Sequence, residues 1–161
     1  MTQPAQSRAF LPLGIALGGR RCLVVGGGAV GTRKAATLAR SGASVTVVAP
    51  AVTEELAAQV AAGRVRWIEG PFQDDHLEGA FLAVAATNDP AVNRAVTAAA
   101  ERAGTLACDA SSAQSSQVVF GALFEHDGTT TAVFTDGHDP TRARDMRDRI
   151  AAYFAPGRPK R

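Results

Sequence analysis

Between Arg21 and Cys108 the chain alternates short, uniformly apolar blocks with longer stretches whose apolar residues return every three or four positions. The first kind marks a strand buried on both faces, the second a helix with one apolar side. Cys22-Leu23-Val24-Val25 is the first block; it breaks into Gly26-Gly27-Gly28-Ala29-Val30-Gly31, and a helical pattern starts near Ala29 and stops at Ser41-Gly42. Ser44-Val45-Thr46-Val47-Val48-Ala49 is β-branched, and Pro50 ends it. Thr53, followed by Glu54 and Glu55, predicts a capped helix running to Ala62. Val65-Arg66-Trp67-Ile68 predicts a third strand before a turn at Glu69-Gly70-Pro71-Phe72, and residues 81–86 predict a fourth. Asp89-Pro90 supplies an N-cap and a first helical residue for a helix to Ala103, and a fifth strand follows at 105–108.

Strands alternating with helices at this spacing imply right-handed crossovers, so the class is α/β, a Rossmann-like doubly wound parallel sheet. After Ser111 the pattern changes. Val118-Val119-Phe120 and Thr130-Thr131-Ala132-Val133-Phe134 flank the turn signal His126-Asp127-Gly128, which predicts an antiparallel C-terminal β-hairpin extending the sheet at its edge. Asp139-Pro140 repeats the cap-then-proline signature and opens a terminal helix through Ile150 to Tyr153, ended by Pro156-Gly157. Apolar residues 10–13 are expected to cover the sheet edge. The expected organisation is a flexible stretch at 1–9, a nucleotide-binding domain over 10–113, a hairpin and helix over 114–155 and a basic tail at 156–161.

A length of 161 residues suits one domain with a core that needs neither disulfides nor metal. With 46% hydrophobic and 20% charged residues the chain is globular, and no window approaches the ~18 apolar residues of a membrane span. Cys22 and Cys108 both fall in predicted buried strands and no signal core opens the chain, so a reducing cytoplasm is expected. Net charge is only +2, which gives no footprint for nucleic acid. Arg142, Arg144, Arg147, Arg149, Arg158, Lys160 and Arg161 nevertheless gather at the C-terminus, and that field suits an anionic ligand. No Cys and His cluster has zinc spacing, so no metal is expected.

Gly26, Gly28 and Gly31 fit G-x-G-x-x-G between a strand and a helix, the fingerprint of a dinucleotide site. The helix opening at Ala29 would aim its free N–H groups at a pyrophosphate. Val48-Ala49-Pro50 offers no carboxylate for an adenosine ribose, and Arg33 and Lys34 leave a preference for NADP open, or are two exposed helix cations. Thr87 and Asn88 stand at the carboxyl end of the fourth strand, where open α/β sheets place their ligand crevice; they are candidate cofactor contacts or helix-capping groups. Asp109, Ser111 and Ser112 follow the fifth strand and are the candidates for acid–base work beside a nicotinamide. His126 is expected to be solvated at the hairpin tip, whereas His138 lies just before the last helix and faces a candidate anion site.

Taken together, FLPLGIAL, CLVVGGGAVGTRKAATLARSGASVTVVAP, EGPF at 69–72, AATNDPAVN at 85–93 and GHDPTRARDMR at 137–147 resemble the precorrin-2 dehydrogenase family, which includes the amino-terminal module of siroheme synthase. The resemblance spans about residues 10 to 150. It implies NAD-dependent oxidation of precorrin-2 to sirohydrochlorin, a step towards siroheme or cobalamin, and some relatives also insert iron. It also implies cofactor contacts at Ala29, Val30, Pro50 and Ala51, largely through backbone, and it assigns Arg144 and Arg147 to the substrate carboxylates. By alignment through Val119-Phe120-Gly121-Ala122 the family's acid–base aspartate falls at Ser111 or Ser112, with Asp109 close by. By analogy the hairpin and last helix form a homodimer. A rival reading is a non-catalytic relative that binds a dinucleotide or a tetrapyrrole as a sensor or partner protein.

Overall fold

Five of the apolar blocks pair as one parallel sheet in the order β3-β2-β1-β4-β5. The computed structural model describes residues 9–154, so the expected flexible start and the basic tail lie outside the described residues. The strands are β1 (Arg21–Val25), β2 (Ser44–Ala49), β3 (Arg66–Glu69), β4 (Leu82–Ala85) and β5 (Leu106–Asp109). Between them run α1 (Ala29–Arg40), α2 (Glu54–Ala61), a 3₁₀ turn at Asp74–Leu77 and α3 (Pro90–Arg102). Because β1 lies between β2 and β4, the chain winds outward in both directions from the centre. Crossovers of one hand then place α1 and α2 on one face of the sheet and α3 on the other.

Strand alternation sorts the core. Leu23, Val25, Val48, Ala83, Ala85 and Ala107 meet Val96, Ala99 and Ala100 of α3, whereas Val24 reaches the start of α1, where a Cβ on Gly31 would lie 3.7 Å from its methyl. Each helix buries one stripe: Gly31, Thr32, Ala35 and Leu38 on α1, and Asn93, Val96, Thr97, Ala99 and Ala100 on α3. Removal from water of a Leu or Val such as Leu38 or Val96 contributes about 2 kcal/mol, which fixes register as well as stability. Three of the helix starts carry the side-chain caps the sequence predicts. Thr53 accepts from the Leu56 N–H, Asp89 from Ala91 and Val92, and Asp139 from Arg142. Helix α1 has no such cap.

The contacts divide the described residues into a unit over 13–118 and a second made of 9–12 with 119–154. In the second unit, β6 (Ala122–His126) and β7 (Thr129–Val133) form an antiparallel hairpin followed by α4 (Pro140–Tyr153). The hairpin is a separate two-stranded sheet and does not extend the parallel one. The reason lies at the edge of β5. Gln117 and Val118 both donate their N–H groups to the Ala107 carbonyl, and the Gln117 side chain accepts the Ala107 N–H, so that edge is already closed. The expected strand at Val118-Val119-Phe120 is therefore irregular chain, and pairing starts at Ala122. Of residues 10–13, expected to cover the sheet edge, Leu11 and Leu13 are exposed, and the Phe10 N–H donates to Asp136 of the hairpin–helix unit. No described helix is long and apolar enough to cross a membrane.

Candidate functional site

The glycine elbow between β1 and α1 is built by contacts that only glycine permits. Gly26 has φ +118°, and a Cβ there would sit 2.4 Å from the Ala86 carbonyl oxygen. A Cβ on Gly31 would lie 1.9 Å from the Gly26 carbonyl oxygen. At Gly27, the middle residue that the sequence pattern treats as free, it would lie 2.1 Å from the Ala51 oxygen, so this position is constrained as well. Gly28 is the opposite case. It is exposed, with extended backbone, and nothing stands within 4 Å of a Cβ built on it. Directly behind it α1 begins with no side-chain cap and no acidic residue in its first turn. Open space in front of uncapped N–H groups at the positive end of a helix dipole is what a pyrophosphate requires. Ala29 and Val30 are exposed at this opening.

A chain of hydroxyls ties the elbow to the next loop. The Thr32 hydroxyl donates to the Gly28 carbonyl at 3.0 Å. Its single proton being used, it accepts at 2.8 Å from Thr53, which in turn accepts from the Leu56 N–H. The Thr53 N–H donates to the Gly27 carbonyl at 3.0 Å, which ties the start of α2 to the elbow. At the end of β2 the Ala49 carbonyl accepts from both the Trp67 indole and the Gly70 N–H. Pro50 and Ala51 beyond it are exposed, and neither carries a carboxylate. Of the two cations on α1, Arg33 is exposed but Lys34 is half-buried.

At the carboxyl ends of β4 and β5 the structure brings Thr87, Asp109 and Ser111 into one hydrogen-bond network. Asp109 is 6% exposed, and its Oδ1 accepts from the Ser111 N–H at 2.8 Å and the Ser111 hydroxyl at 2.6 Å. The Asp109 N–H donates to the buried Ser116 hydroxyl at 2.8 Å. Ser112 closes the turn: its N–H donates to the Asp109 carbonyl, and its own carbonyl accepts from Ser116. The Thr87 hydroxyl accepts the Asp89 N–H, a local turn that sets up the α3 cap. Asn88 is exposed beside it.

Next to Asp109, burial pushes the Cys108 thiol up to about 11, only partly opposed by Lys34. Burial likewise lowers Lys34 and raises Cys22. Cys108 is thus inert packing at neutral pH. Between its unfolded value near 9 and its folded value near 11, the native state keeps a proton that the unfolded chain releases. Stability from this thiol therefore falls as pH rises through that window, by about 2–3 kcal/mol at its upper end. Thermal melts from pH 8 to 11 should show the wild type losing more stability than Cys108→Ala, and parallel curves would contradict the assignment.

In the second unit His138 and Arg144 are exposed at the start of α4, and the Arg144 guanidinium donates to the Thr141 hydroxyl at 3.2 Å. Arg147 is held by its neighbour Asp148 at 2.7 Å. His138, Arg142, Asp136 and Phe134 line an open groove of about 460 Å³. Asp136 has φ +49°, and its carboxylate takes the Phe10 N–H. His126 is not simply solvated: its ring lies 5.2 Å from that of Phe154 and stacks at 6.0 Å on Phe124. A hollow of about 720 Å³ beside α1 and α2 is lined by alanines together with Arg40, Glu55, Gln59 and Arg64, and contains none of the elbow residues. No metal-binding cluster occurs among the described residues. The residues that sequence reasoning missed are Gly27, Thr32, Thr53 as a tether, Asn93 and Ser116. Only the triplet of glycines carried a signal for any of them.

The comparisons agree with this architecture. Residues 13–122 match a family model described as putative NAD(P)-binding. The siroheme synthase of Chromobacterium violaceum is 39% identical over 92% of this chain and 32% of its own length, and that of Photorhabdus laumondii is 35% identical over 90% of this chain and 31% of its own. The chain thus spans about a third of the length of the curated relatives it matches. The solved structure of SirC, a precorrin-2 dehydrogenase, superposes with a TM-score of 0.79 at 31% identity, covering 91% of this chain and 72% of that one.

Proposed function

The chain belongs to the putative NAD(P)-binding family and to the relatives of the precorrin-2 dehydrogenase SirC, and from that premise we propose that it is an NAD-dependent oxidoreductase that converts precorrin-2 to sirohydrochlorin on the way to siroheme. The observation that carries the reading is an elbow whose one exposed glycine fronts an uncapped helix start, with a carboxylate-bearing crest on the same sheet. When bound, NAD supplies the hydride acceptor. The N–H groups at the start of α1 would hold its pyrophosphate, and Pro50 and Ala51 would meet its adenosine half through backbone. Thr87 and Asn88 would contact the other half.

Asp109 would take the proton that accompanies hydride loss, its Oδ1 being fixed by Ser111. Arg144, Arg147 and His138 would meet the acetate and propionate groups of the tetrapyrrole, charge-assisted pairs of the kind polycarboxylates select. Arg147 would exchange Asp148 for substrate. A homodimer through the hairpin and α4 fits the exposed Leu123, Met146, Tyr153 and Phe154 there. A reducing cytoplasm suits the free thiols of Cys22 and Cys108.

Mixing the purified protein with precorrin-2 and NAD tests this reading. Sirohydrochlorin absorbance rising together with NADH is the expected result. Saturable binding of both ligands without turnover would instead identify a sensor or partner protein.

A further inference from the structure

Asn93 sits on the second turn of α3, and it is 1% exposed although its side chain is wholly polar. An amide in such a place costs several kcal/mol unless its donors and acceptor find partners. All of them do. Oδ1 accepts the Thr87 N–H at 3.0 Å and the Thr87 hydroxyl at 2.7 Å. Nδ2 donates to the Thr87 carbonyl at 3.2 Å and to the Ser111 hydroxyl at 3.4 Å. A backbone N–H can only donate and a carbonyl can only accept, so these contacts allow one orientation of the amide and no flip.

The consequence falls on Ser111. Its hydroxyl has one proton, and a lone pair that faces Nδ2 leaves that proton for the Asp109 Oδ1, 2.6 Å away. Asn93 therefore spans the carboxyl ends of β4 and β5, gripping the loop after one and setting the proton direction after the other. Resting on the reading of Asp109 as the proton acceptor, we infer that Asn93 is a positioning residue for the oxidation. It acts through the Ser111 hydroxyl on the Asp109 carboxylate, and it touches neither substrate nor cofactor in doing so.

Asn93→Asp is the nearest change in shape. It keeps an oxygen for the two Thr87 donors but sets a second acceptor where Nδ2 stands, so the Ser111 proton is drawn away from Asp109. Per folded molecule, kcat with precorrin-2 and NAD should fall about tenfold while the KM for NAD stays within about twofold. In a Ser111→Ala background the same change should cost nothing further, because the hydroxyl it works through is gone. If Asn93→Asp does not fold, Asn93→Ala carries the same cycle. Unchanged kcat, a loss confined to KM, or an equal loss in the Ser111→Ala background would each overturn the inference while the dehydrogenase reading stands. A wild type without turnover removes that reading, and this inference with it.

Discussion

Gly31→Ala should lower the stability of the fold by about 3 kcal/mol, the upper end of what forced overpacking costs. Its new methyl would stand 1.9 Å from the Gly26 carbonyl oxygen, and backbone cannot yield as a flexible side chain does. Either α1 lifts from β1 or the elbow opens. The first exposes Leu38 and Ala35, and the second pulls Gly26 from its bond to the Val48 carbonyl. Gly28→Val supplies the contrast: its backbone is already extended and the space in front is empty, so its melting temperature should match that of the wild type. Differential scanning calorimetry on the two variants reads this directly. Equal stabilities would mean that the elbow is softer than its contacts indicate.

Asp109→Asn should reduce kcat about a hundredfold or more with NAD affinity unchanged, the usual loss when a general base is removed. Asparagine retains an oxygen for the two Ser111 donors, so the turn from Asp109 to Ser116 keeps its shape and the protein its stability. What disappears is the carboxylate, and with it the means of accepting a proton. A variant that turns over like the wild type would take Asp109 out of the mechanism. The candidates Ser111 and Ser112 would not replace it, because the Ser111 proton is committed to Asp109, and Ser112 lies in the turn with its hydroxyl accepting from Ser115.

The central strands and the capped helices were legible because their determinants are local. β2 is β-branched from end to end and stops at Pro50, and α3 and α4 each announce themselves with Asp-Pro. The glycine fingerprint was equally plain, although its unmarked middle position, Gly27, proved as constrained as Gly26 and Gly31. What escaped depends on partners distant in sequence. Val118-Val119-Phe120 has strand composition, yet its neighbour Gln117 spends its hydrogen bonds on the Ala107 edge, so pairing begins later at Ala122. The 3₁₀ turn at Asp74–Leu77 is a single turn and has no period to read. Asn93 looks like an ordinary polar residue near the start of a helix, and only the loops that fold over it give its amide a role. Aligning Asp109 from sequence alone left Ser111 and Ser112 as rivals. In the structure Ser111 is a hydrogen-bond donor to the Asp109 carboxylate, a relation that sequence spacing does not display.

The most direct test of the account is a calorimetric titration of NAD into the wild type and Gly28→Val. Saturable binding to the wild type, weakened at least tenfold in a variant that melts at the same temperature, is the predicted result. A wild type that takes up no NAD at millimolar concentration, or a Gly28→Val protein that binds it equally well, would contradict the claim that the open glycine and the bare helix start hold the cofactor.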